Sequence, residues 1–543
     1  MNLDDLNRNQ RSIIEAINKL EECSLSELLK EIEIPKRTLI DNLNKLISLQ
    51  LIKKTGSRTQ PFYQKIIIPE YLPKSITVFK ESKKMGYLRF GSEGYTFEYY
   101  KGYKKDKSDT LKDNESSPFL FPEFENLIPE SDRRDKLKTE FNTYEIAELL
   151  THLVNTHGAY DFIYSHKENK YKADYSQRPF WIDIKNKILA ENEYPNILED
   201  FAVNISKESL EAKTTGKDSH LSGYQNKIDI NIDFNTNEIK KANSEALYLM
   251  KPYNKDLSDY FKNHKKREQK LYYPFISINE HLFMSFAKNE LGFDVPYTAI
   301  IKGDKDFHYI TKRYDRFEKF KYHQKDFSQI FGLDSDKKYD PTSEELFTKI
   351  EETFYTKEEK LKALSFYFFS SIMKHEDLHI KNIGALQIGS NKYIMTPLYD
   401  LISLGIYNNE CNSLGLSMTS QRKYTKLKIE DFEALADILK ISKEDFRKEA
   451  KRITSIFIEE FPKYIENTKK LLKYDSLIVK TSRQRETNFI IRLASFYNET
   501  LKDLKRNRIL SELKIENKYK DRFKSENSIK YNNNELKKLA KKS

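Results

Sequence analysis

Residues 375–382 read His375-Glu376-Asp377-Leu378-His379-Ile380-Lys381-Asn382, and residues 397–401 read Pro397-Leu398-Tyr399-Asp400-Leu401. Asn382 lies five residues after Asp377, and Asp400 lies eighteen residues after Asn382. Protein kinases use an aspartate to orient the attacking hydroxyl and an asparagine five residues later to hold Mg²⁺. A second aspartate, beyond a strand hairpin, holds the metal on the phosphates. Residues 383–388 and 392–396 are apolar enough to form that hairpin. The spacing therefore predicts a kinase-type active site.

The segment before this pattern, from Leu361 to Met373, is almost unbroken in apolar and aromatic residues, which predicts a buried helix. An alternative interpretation treats Asp377 as part of a solvated helix end and Asp400 as a turn residue, because charged residues make up 33% of the chain. However, a buried helix that runs directly into charged side chains needs a compensating reason, since unpaired buried charge is costly. This context favours the active-site interpretation.

The composition indicates a folded, soluble protein of several domains. The 543 residues include 38% hydrophobic and 13% aromatic residues, which is enough for about three domains with their own cores. Cys23 and Cys411 lack CxxC spacing, so we expect a reducing cytoplasm and neither a disulfide framework nor a cysteine zinc site. No apolar run approaches about twenty residues, and the first residues do not resemble a signal peptide, so no membrane contact is expected. The net charge of +11 permits nucleic-acid binding but would serve nucleotide phosphates equally.

Residues 1–70 are predicted to form a small separate domain. Apolar spacing indicates helices over residues 8–20, 25–32 and 36–49, followed by strands over residues 51–54 and 62–68. Before the second helix, the sequence carries a capping box, with a serine followed three residues later by a glutamate. This order of elements resembles the winged helix-turn-helix family of DNA-binding domains.

The winged-helix resemblance implies that the third helix enters the major groove and that the wing contacts phosphates or the minor groove. The implied DNA-binding residues are Lys36, Arg37, Thr38, Asn42, Lys53, Lys54 and Arg58. The alternative is a winged helix that serves protein contacts, and Asp41 on the third helix counts mildly against DNA.

The rest of the chain is predicted to divide into three parts, residues 75–217, 218–500 and 501–543. Short alternating strands begin the first part, and residues 132–154 are predicted to form one amphipathic helix. The second part is a mixed α/β region that contains the acidic pattern. The last part is predicted to be a basic helical tail.

A further series of segments occurs in order along the chain. The segments are Gly86-Tyr87-Leu88, Phe124-Glu125-Asn126-Leu127-Ile128-Pro129-Glu130, Gly158-Ala159-Tyr160, Ser222-Gly223-Tyr224-Gln225-Asn226-Lys227, Leu249-Met250-Lys251-Pro252, Asn279-Glu280, Arg313-Tyr314-Asp315-Arg316 and Asp326-Phe327-Ser328-Gln329. Together with the acidic pattern, this series resembles the HipA family, the serine/threonine kinase toxins of bacterial toxin–antitoxin pairs, over roughly residues 76–470. The resemblance implies an α+β, HipA-like (protein-kinase-like) fold, preceded here by the winged-helix domain.

The resemblance also implies a role for each matching residue. Asp377 would be the catalytic aspartate, flanked by His379 and Lys381, and Asn382 and Asp400 would be the Mg²⁺ ligands. Lys251 would bind the phosphates of ATP, together with a phosphate-binding loop that contains Ser222, Gly223, Gln225 and Lys227. These roles agree with the chemistry of the residues, because a strand lysine can neutralise phosphate charge opposite the acids that hold the metal.

The phosphate-binding loop departs from the family pattern in two ways. Gly223 is its single glycine, so the loop is neither a Walker loop nor a protein-kinase glycine-rich loop. The position of the autophosphorylated serine of the family holds His220. Ser222 is the preferred phospho-acceptor and Ser219 is the second candidate, while a backbone-capping role for Ser222 stays open.

The predicted function is that of an ATP- and Mg²⁺-dependent serine/threonine protein kinase with a fused winged helix that binds DNA or restrains the kinase. The family precedent implies a protein substrate such as an aminoacyl-tRNA synthetase, and either an antitoxin partner or a homodimer. One alternative is a transcription regulator that uses an inactive, nucleotide-binding kinase body as its sensor, and another is a small-molecule phosphotransferase. The presence of Lys251, Asp377, Asn382 and Asp400 together argues against an inactive body.

Overall fold

The structure, a computed structural model, describes sixteen ranges of the chain. These are residues 6–20, 22–49, 51–56, 61–65, 74–106, 109–143, 145–153, 155–174, 176–189, 193–210, 227–242, 245–253, 273–407, 413–420, 423–474 and 482–516. None of the helices in these ranges combines the length and the apolar character needed to cross a bilayer.

Residues 6–65, called the N-terminal module here, form three helices and a three-stranded antiparallel sheet. The elements are α1 (Arg8–Leu20), β1 (Glu22–Ser24), α2 (Leu25–Glu31), α3 (Lys36–Ser48), β2 (Ile52–Gly56) and β3 (Pro61–Lys65). The sheet order is β1-β3-β2. Ser24 and Glu27 form the expected capping box at the start of α2. The three predicted helices and the two predicted strands are present, and β1 is a strand that the periodicity did not predict.

Residues 74–164, called the N-terminal subdomain here, form a five-stranded sheet covered by short helices. The elements are β4 (Lys74–Lys80), β5 (Lys83–Gly91), β6 (Gly94–Tyr99), β7 (Glu115–Ser117), α4 (Pro122–Glu125), α5 (Ser131–Glu140), α6 (Ile146–Leu150) and β8 (Tyr160–Tyr164). The strand order is β7-β6-β5-β4-β8. The single helix predicted over residues 132–154 is wrong. Asn142 adopts a left-handed backbone conformation with φ of 50°, which ends the first helix before the second begins.

Residues 181–516, called the C-terminal core here, begin with a helix and a six-stranded sheet. The elements are α7 (Trp181–Ile188), β9 (Ala202–Asn204), α8 (Lys207–Leu210), β10 (Ile228–Asp233), β11 (Glu238–Lys241), β12 (Tyr248–Lys251), α9 (Ile276–Asn289), β13 (Thr298–Lys302) and β14 (Phe307–Lys312). The strand order is β13-β14-β12-β10-β11-β9. Because β9 pairs with β11 and α7 packs against Tyr314 and Leu386, residues 181–204 pack with this core, although the predicted boundary lies at residue 217.

Helices and two small sheets complete the core. The elements are β15 (Arg316–Phe317), β16 (Phe320–Lys321), β17 (Gln324–Asp326), α10 (Phe327–Phe331), α11 (Ser343–Thr353), α12 (Lys357–Ile372), β18 (Gly384–Gly389), β19 (Lys392–Met395), α13 (Ile429–Ile438), α14 (Lys443–Tyr474), α15 (Ser482–Arg506) and α16 (Ile509–Glu512). The predicted buried helix is α12, and the predicted hairpin is β18–β19, which β17 extends to three strands. In the predicted tail, Leu504, Ile509 and Leu513 are buried in the core, and residues 517–543 lie outside the described residues.

A buried ion pair joins the N-terminal subdomain to the C-terminal core. Lys325 Nζ lies 2.6 Å from the Glu123 carboxylate, and both side chains are 0% exposed. The same carboxylate accepts hydrogen bonds from Thr110 Oγ1, at 2.8 Å, and from the Tyr160 hydroxyl. The described hydrogen bonds to this carboxylate all come from donors, which compensate for its removal from water.

Replacing Lys325 with Ala should destabilise the protein by about 3–5 kcal/mol, because the variant leaves the buried Glu123 carboxylate without its cation. Thermal and chemical unfolding measure the effect. The control is Lys349→Ala, which breaks the exposed Lys349–Glu352 pair and should cost less than about 1 kcal/mol. Equal losses in the two variants would contradict the structural role of Lys325.

Candidate active site

Three charged side chains from distant parts of the chain meet at the end of β12. Lys251 Nζ lies 2.7 Å from Glu280 Oε1 on α9 and also contacts Asp400 Oδ1 beyond β19. The Lys251 side chain is 4% exposed and that of Glu280 is 2% exposed. Asp400 adopts a left-handed conformation with φ of 55°, which aspartate tolerates better than most residues. The predicted nucleotide lysine and one predicted metal ligand are therefore in direct contact.

Burial and mutual attraction set the charges of this group. Burial lowers the pKa of Lys251, but Asp400 and Glu280 outweigh this effect and raise the pKa above its ordinary value. Burial raises the pKa of Asp400, but Lys251 and Lys227 outweigh it and hold the pKa well below its usual range. Burial raises the pKa of Glu280 to about 7, and the nearby Asp400 carboxylate adds to the shift although Lys251 opposes it. At neutral pH, Lys251 and Asp400 are therefore both charged.

Lys227, which directly precedes β10, provides a second cation at this site. Burial lowers the pKa of Lys227 to about 8, while Asp400 opposes the shift and Lys251 and Arg133 add to it. Two lysines thus lie close to the Asp400 carboxylate, which is a suitable charge arrangement for phosphate oxygens and a bridging metal. The remaining predicted residues of the phosphate-binding loop, Ser219, Ser222, Gly223 and Gln225, lie outside the described residues.

The turn after α12 carries Asp377. The buried His375 precedes it, and burial lowers the pKa of His375 to about 4, with Asp377 and Asp400 both opposing this shift. Asp377, the predicted catalytic aspartate, and Asp400, a predicted metal ligand, are therefore both close to one imidazole ring. Asp377 is exposed to solvent, and its Oδ1 accepts a hydrogen bond from the Tyr339 hydroxyl.

A short 3-10 turn, Ile380–Asn382, positions the asparagine of the predicted metal site. Asn382 Oδ1 accepts a hydrogen bond of 3.0 Å from the backbone N–H of His379. Burial lowers the pKa of His379 to about 3, and Lys338 adds to this shift, so the imidazole is neutral at pH 7. The hydrogen bond from the His379 backbone N–H fixes the orientation of the Asn382 amide.

The donor set of Asn382 and Asp400 fits Mg²⁺, which prefers oxygen ligands and usually takes one or two protein carboxylates together with substrate phosphates. Within the described ranges, no group of three or more His, Cys, Asp and Glu side chains could hold a metal ion. Nucleotide phosphates could supply further oxygen ligands for a bound Mg²⁺.

Lys381, a predicted catalytic residue, contacts the N-terminal subdomain. Its Nζ lies 2.9 Å from Glu130 Oε1, and Lys338 Nζ lies 3.2 Å from the other oxygen of that carboxylate. Burial raises the pKa of Glu130, but Lys381 and Lys338 outweigh it and lower the pKa to about 2. This contact links the loop that carries Asp377 to the subdomain, and a catalytic role for Lys381 stays a prediction.

The predicted DNA-binding residues lie on one helix and one strand of the N-terminal module. The exposed residues among them are Lys36, Arg37, Lys53 and Lys54, and the partly buried residues are Thr38 and Asn42. Asn42 Nδ2 donates to the Thr38 carbonyl oxygen at 2.8 Å, so this amide nitrogen is already hydrogen-bonded within α3. Arg58 lies outside the described residues.

Helix α1 contacts the rest of the protein at two places. Arg8 forms an ion pair with Asp340, and the Arg11 guanidinium lies 5.8 Å from the centre of the Phe119 ring. Phe119 belongs to the N-terminal subdomain but packs into the hydrophobic core of the module. The module is therefore docked on the protein.

The sequence reasoning assigned no role to Glu280 or to Tyr339. Glu280 had a detectable signal, because it is a charged residue within the largely apolar helix α9 and such a residue needs a buried partner. Tyr339 had no comparable signal, since its contact with Asp377 depends on how a distant segment folds over the loop.

Replacing Lys251 with Met should destabilise the protein more at pH 8 than at pH 5. The variant leaves Glu280 buried beside Asp400 without the ammonium group, a loss that typically costs about 3–5 kcal/mol. The pKa of Glu280 is about 7 in the intact protein, so at pH 5 this group is protonated and the repulsion between the carboxylates is removed. Thermal unfolding at both pH values measures the difference.

The control is Lys502→Met, which removes the exposed Lys502–Glu499 pair and should change the unfolding midpoint little at either pH. A Lys251→Met loss of equal size at pH 5 and pH 8 would argue against this arrangement of charges.

Comparison with known proteins places this geometry in a family. Residues 219–463 match the family model of the HipA-like C-terminal domain. A Haemophilus influenzae protein named "Putative kinase" is 23% identical over 215 residues, which are 36% of this chain and 56% of that protein. A Sinorhizobium fredii protein named "Putative kinase Y4dM" is 24% identical over 176 residues, which are 30% of this chain and 43% of that protein. The chain thus spans about half the length of the curated relatives it matches.

A solved structure extends the similarity beyond this domain. A chain of the Shewanella oneidensis complex of HipA, HipB and operator DNA superposes with a TM-score of 0.52 and 15% identity. The superposition covers 80% of this chain and 99% of that chain, and at this identity it shows the fold alone. Residues 219–463 therefore match the HipA-like C-terminal domain family, and the chain has a HipA-like fold.

Proposed function

We propose that this protein is an ATP- and Mg²⁺-dependent serine/threonine protein kinase of the HipA type. The observation that carries the proposal is the contact of Lys251 with Glu280 and Asp400 at the end of β12. In protein kinases, a strand lysine that pairs with a helix glutamate binds the nucleotide phosphates, and a distal aspartate holds the metal. A buried ammonium group between two carboxylates is costly to assemble for stability alone, so a phosphate-binding role explains its presence.

Bound ATP with Mg²⁺ would supply the phosphoryl group and neutralise part of its charge. Lys251 and Lys227 would bind phosphate oxygens, while Asn382 and Asp400 would provide protein ligands for the metal. Asp377 would accept a hydrogen bond from the acceptor hydroxyl and take its proton. Catalysis by this set is mainly positioning and electrostatic stabilisation, as in phosphoryl transfer generally.

A transcription regulator with an inactive kinase body is the second candidate. The docked N-terminal module favours it, because four of the residues predicted to bind DNA, Lys36, Arg37, Lys53 and Lys54, are exposed on its third helix and second strand. The presence of Asp377 in a solvent-exposed turn near Asp400 supports an active enzyme instead, since a nucleotide sensor has no need of an acceptor-orienting aspartate. A small-molecule phosphotransferase would share the metal site and differ in its acceptor.

We further propose that the N-terminal module binds DNA and restrains the kinase. The Shewanella oneidensis structure contains HipA with HipB and operator DNA, which supports operator DNA and an antitoxin as partners, while a homodimer stays a prediction. An aminoacyl-tRNA synthetase remains the protein substrate that the family precedent suggests. Autophosphorylation of Ser222 or Ser219 remains a separate prediction.

Replacing Asp377 with Asn should lower phosphotransfer by at least about 100-fold, because general-base catalysis contributes about 10²–10⁴-fold. The variant should still bind ATP with Mg²⁺. Replacing Asp400 with Asn should lower phosphotransfer and also weaken Mg²⁺-dependent nucleotide binding, because it removes a charged metal ligand. Radiolabelled ATP and a protein acceptor measure transfer, and calorimetry measures binding.

The matched control is Asp437→Asn, an exposed carboxylate on α13, which should leave both measurements unchanged. Full phosphotransfer by the Asp377→Asn protein would contradict the assignment of Asp377 as the catalytic aspartate. Nucleotide binding without phosphotransfer in the unmodified protein would support the inactive-sensor alternative.

If the N-terminal module binds DNA, the affinity should fall steeply with salt, because phosphate contacts release counterions. Lys53→Ala and Lys54→Ala should weaken binding to all sequences alike, whereas Arg37→Ala should change sequence preference. Fluorescence anisotropy with operator and random duplexes measures both effects. The control is Lys19→Ala, an exposed lysine at the end of α1, and the absence of binding to any duplex at low salt would remove the DNA proposal.

A further inference from the structure

A hydroxyl group of the chain itself lies at the catalytic aspartate. The Tyr339 hydroxyl donates a hydrogen bond to Asp377 Oδ1, and the tyrosine ring packs edge-on against His379 with ring centroids 5.1 Å apart. Burial raises the pKa of Tyr339, and the hydrogen bond to Asp377 raises it further, so the phenol keeps its proton. A neutral hydroxyl that donates to this carboxylate has the position that an acceptor hydroxyl must have in phosphoryl transfer.

The segment that leads into Tyr339 is held by contacts with other parts of the protein. Before the tyrosine, Ser335 donates to the Glu125 carboxylate from its backbone N–H at 3.0 Å and from its Oγ at 2.8 Å. The carbonyl oxygen of Lys338 accepts from the backbone N–H of Ile380, in the catalytic loop, at 3.2 Å. These bonds place the tyrosine over the loop independently of its own hydroxyl, so its position does not depend on the single contact with Asp377.

The accessibility of Tyr339 suits a reacting group. The residue is 43% exposed, although the backbone that precedes it is hydrogen-bonded to other parts of the protein. Its hydroxyl thus faces the solvent-accessible aspartate from a fixed segment, and the tyrosine ring can rotate away without breaking the contacts of Ser335 or Lys338.

We propose that Tyr339 is an intramolecular phospho-acceptor of this active site, so that the chain phosphorylates its own tyrosine. This inference rests on the proposed kinase function. The phenolic oxygen attacks the γ-phosphorus of ATP, an oxygen–phosphorus bond forms, and the bond from the γ-phosphorus to the β,γ-bridging oxygen breaks as ADP leaves. The phenolic proton passes to the Asp377 carboxylate and from there to solvent.

The modification would change access to the catalytic aspartate. Before it, the Tyr339 hydroxyl occupies the Asp377 oxygen that another acceptor needs. After it, the phosphate carries close to two negative charges beside the Asp377 carboxylate, and repulsion moves the side chain away. Self-phosphorylation therefore converts an occupied acceptor position into one that is open to a protein substrate, which would appear as a lag in substrate phosphorylation.

The test uses the full-length chain, first treated with phosphatase and then incubated with ATP and Mg²⁺. Intact mass and tandem mass spectrometry locate the phosphate, and casein in the same reaction reports transfer to an external acceptor. We expect up to about one phosphate per chain on Tyr339. The rate constant of its formation, which is the rate per chain, should not change over a tenfold range of chain concentration. Tyr339→Phe should lose this phosphate and phosphorylate casein without a lag.

The matched control is Tyr355→Phe, because Tyr355 is also an exposed tyrosine but has no described contact with Asp377, and this variant should behave as the unmodified chain. Asp377-dependent transfer to casein without phosphate on Tyr339 would overturn the inference and leave the proposed function standing. A rate constant per chain that rises in proportion to chain concentration would overturn the intramolecular part of the inference. Absence of transfer to either acceptor would overturn both proposals.

Discussion

One buried ammonium group holds the active site together. Lys251 bonds Glu280, which lies 29 residues later on α9, and Asp400, which lies 149 residues later beyond the β18–β19 hairpin. Removing such charges from water costs several kcal/mol per ion, and only close pairing returns that energy. The six-stranded sheet, α9 and the loop of Asp400 must therefore meet in one geometry, and Lys227 adds a further positive charge near the Asp400 carboxylate. The group is consequently a constraint on the fold as well as the proposed site for phosphates.

Several segments that carry the family resemblance form structural contacts between the subdomain and the core. Arg313 donates to the carbonyl oxygens of Asn155 and Thr156, and Asp315 accepts from the backbone N–H of Gly158 at 3.1 Å. Gln329 donates to the carbonyl oxygen of Glu123 at 2.8 Å. Buried backbone groups need such partners, so charged and amide side chains occur where the loop before β8 crosses the core. These segments therefore have a structural role away from the candidate active site.

The sequence predicted features that depend on local spacing and missed those that depend on long-range folding. The five-residue and eighteen-residue offsets among Asp377, Asn382 and Asp400 predicted the turn and the hairpin, because each of these elements is local. Periodicity predicted the helices of the N-terminal module for the same reason. The break at Asn142 depends on one residue in a left-handed conformation, which periodicity does not detect. The pairing of β9 with β11 and the partner of Glu280 depend on contacts between residues far apart in the chain, so no local pattern encodes them.

One segment contacts both the N-terminal module, through Asp340, and Asp377, through the preceding tyrosine. The free energy of the contacts between the module and the rest of the protein determines how strongly the two sites can be coupled. The exposed Arg8–Asp340 pair contributes only about 0.2–1 kcal/mol, although Asp340 directly follows the tyrosine that contacts Asp377. The burial of Phe119 in the core of the module contributes more, about 1.5–3 kcal/mol for a phenylalanine side chain. Undocking the module therefore costs a few kcal/mol, which is within the range that a bound macromolecule can supply. Because such coupling is reciprocal, a ligand that binds better to the undocked module would also loosen the segment over the catalytic aspartate, and an acceptor that displaces this segment would weaken the docking of the module.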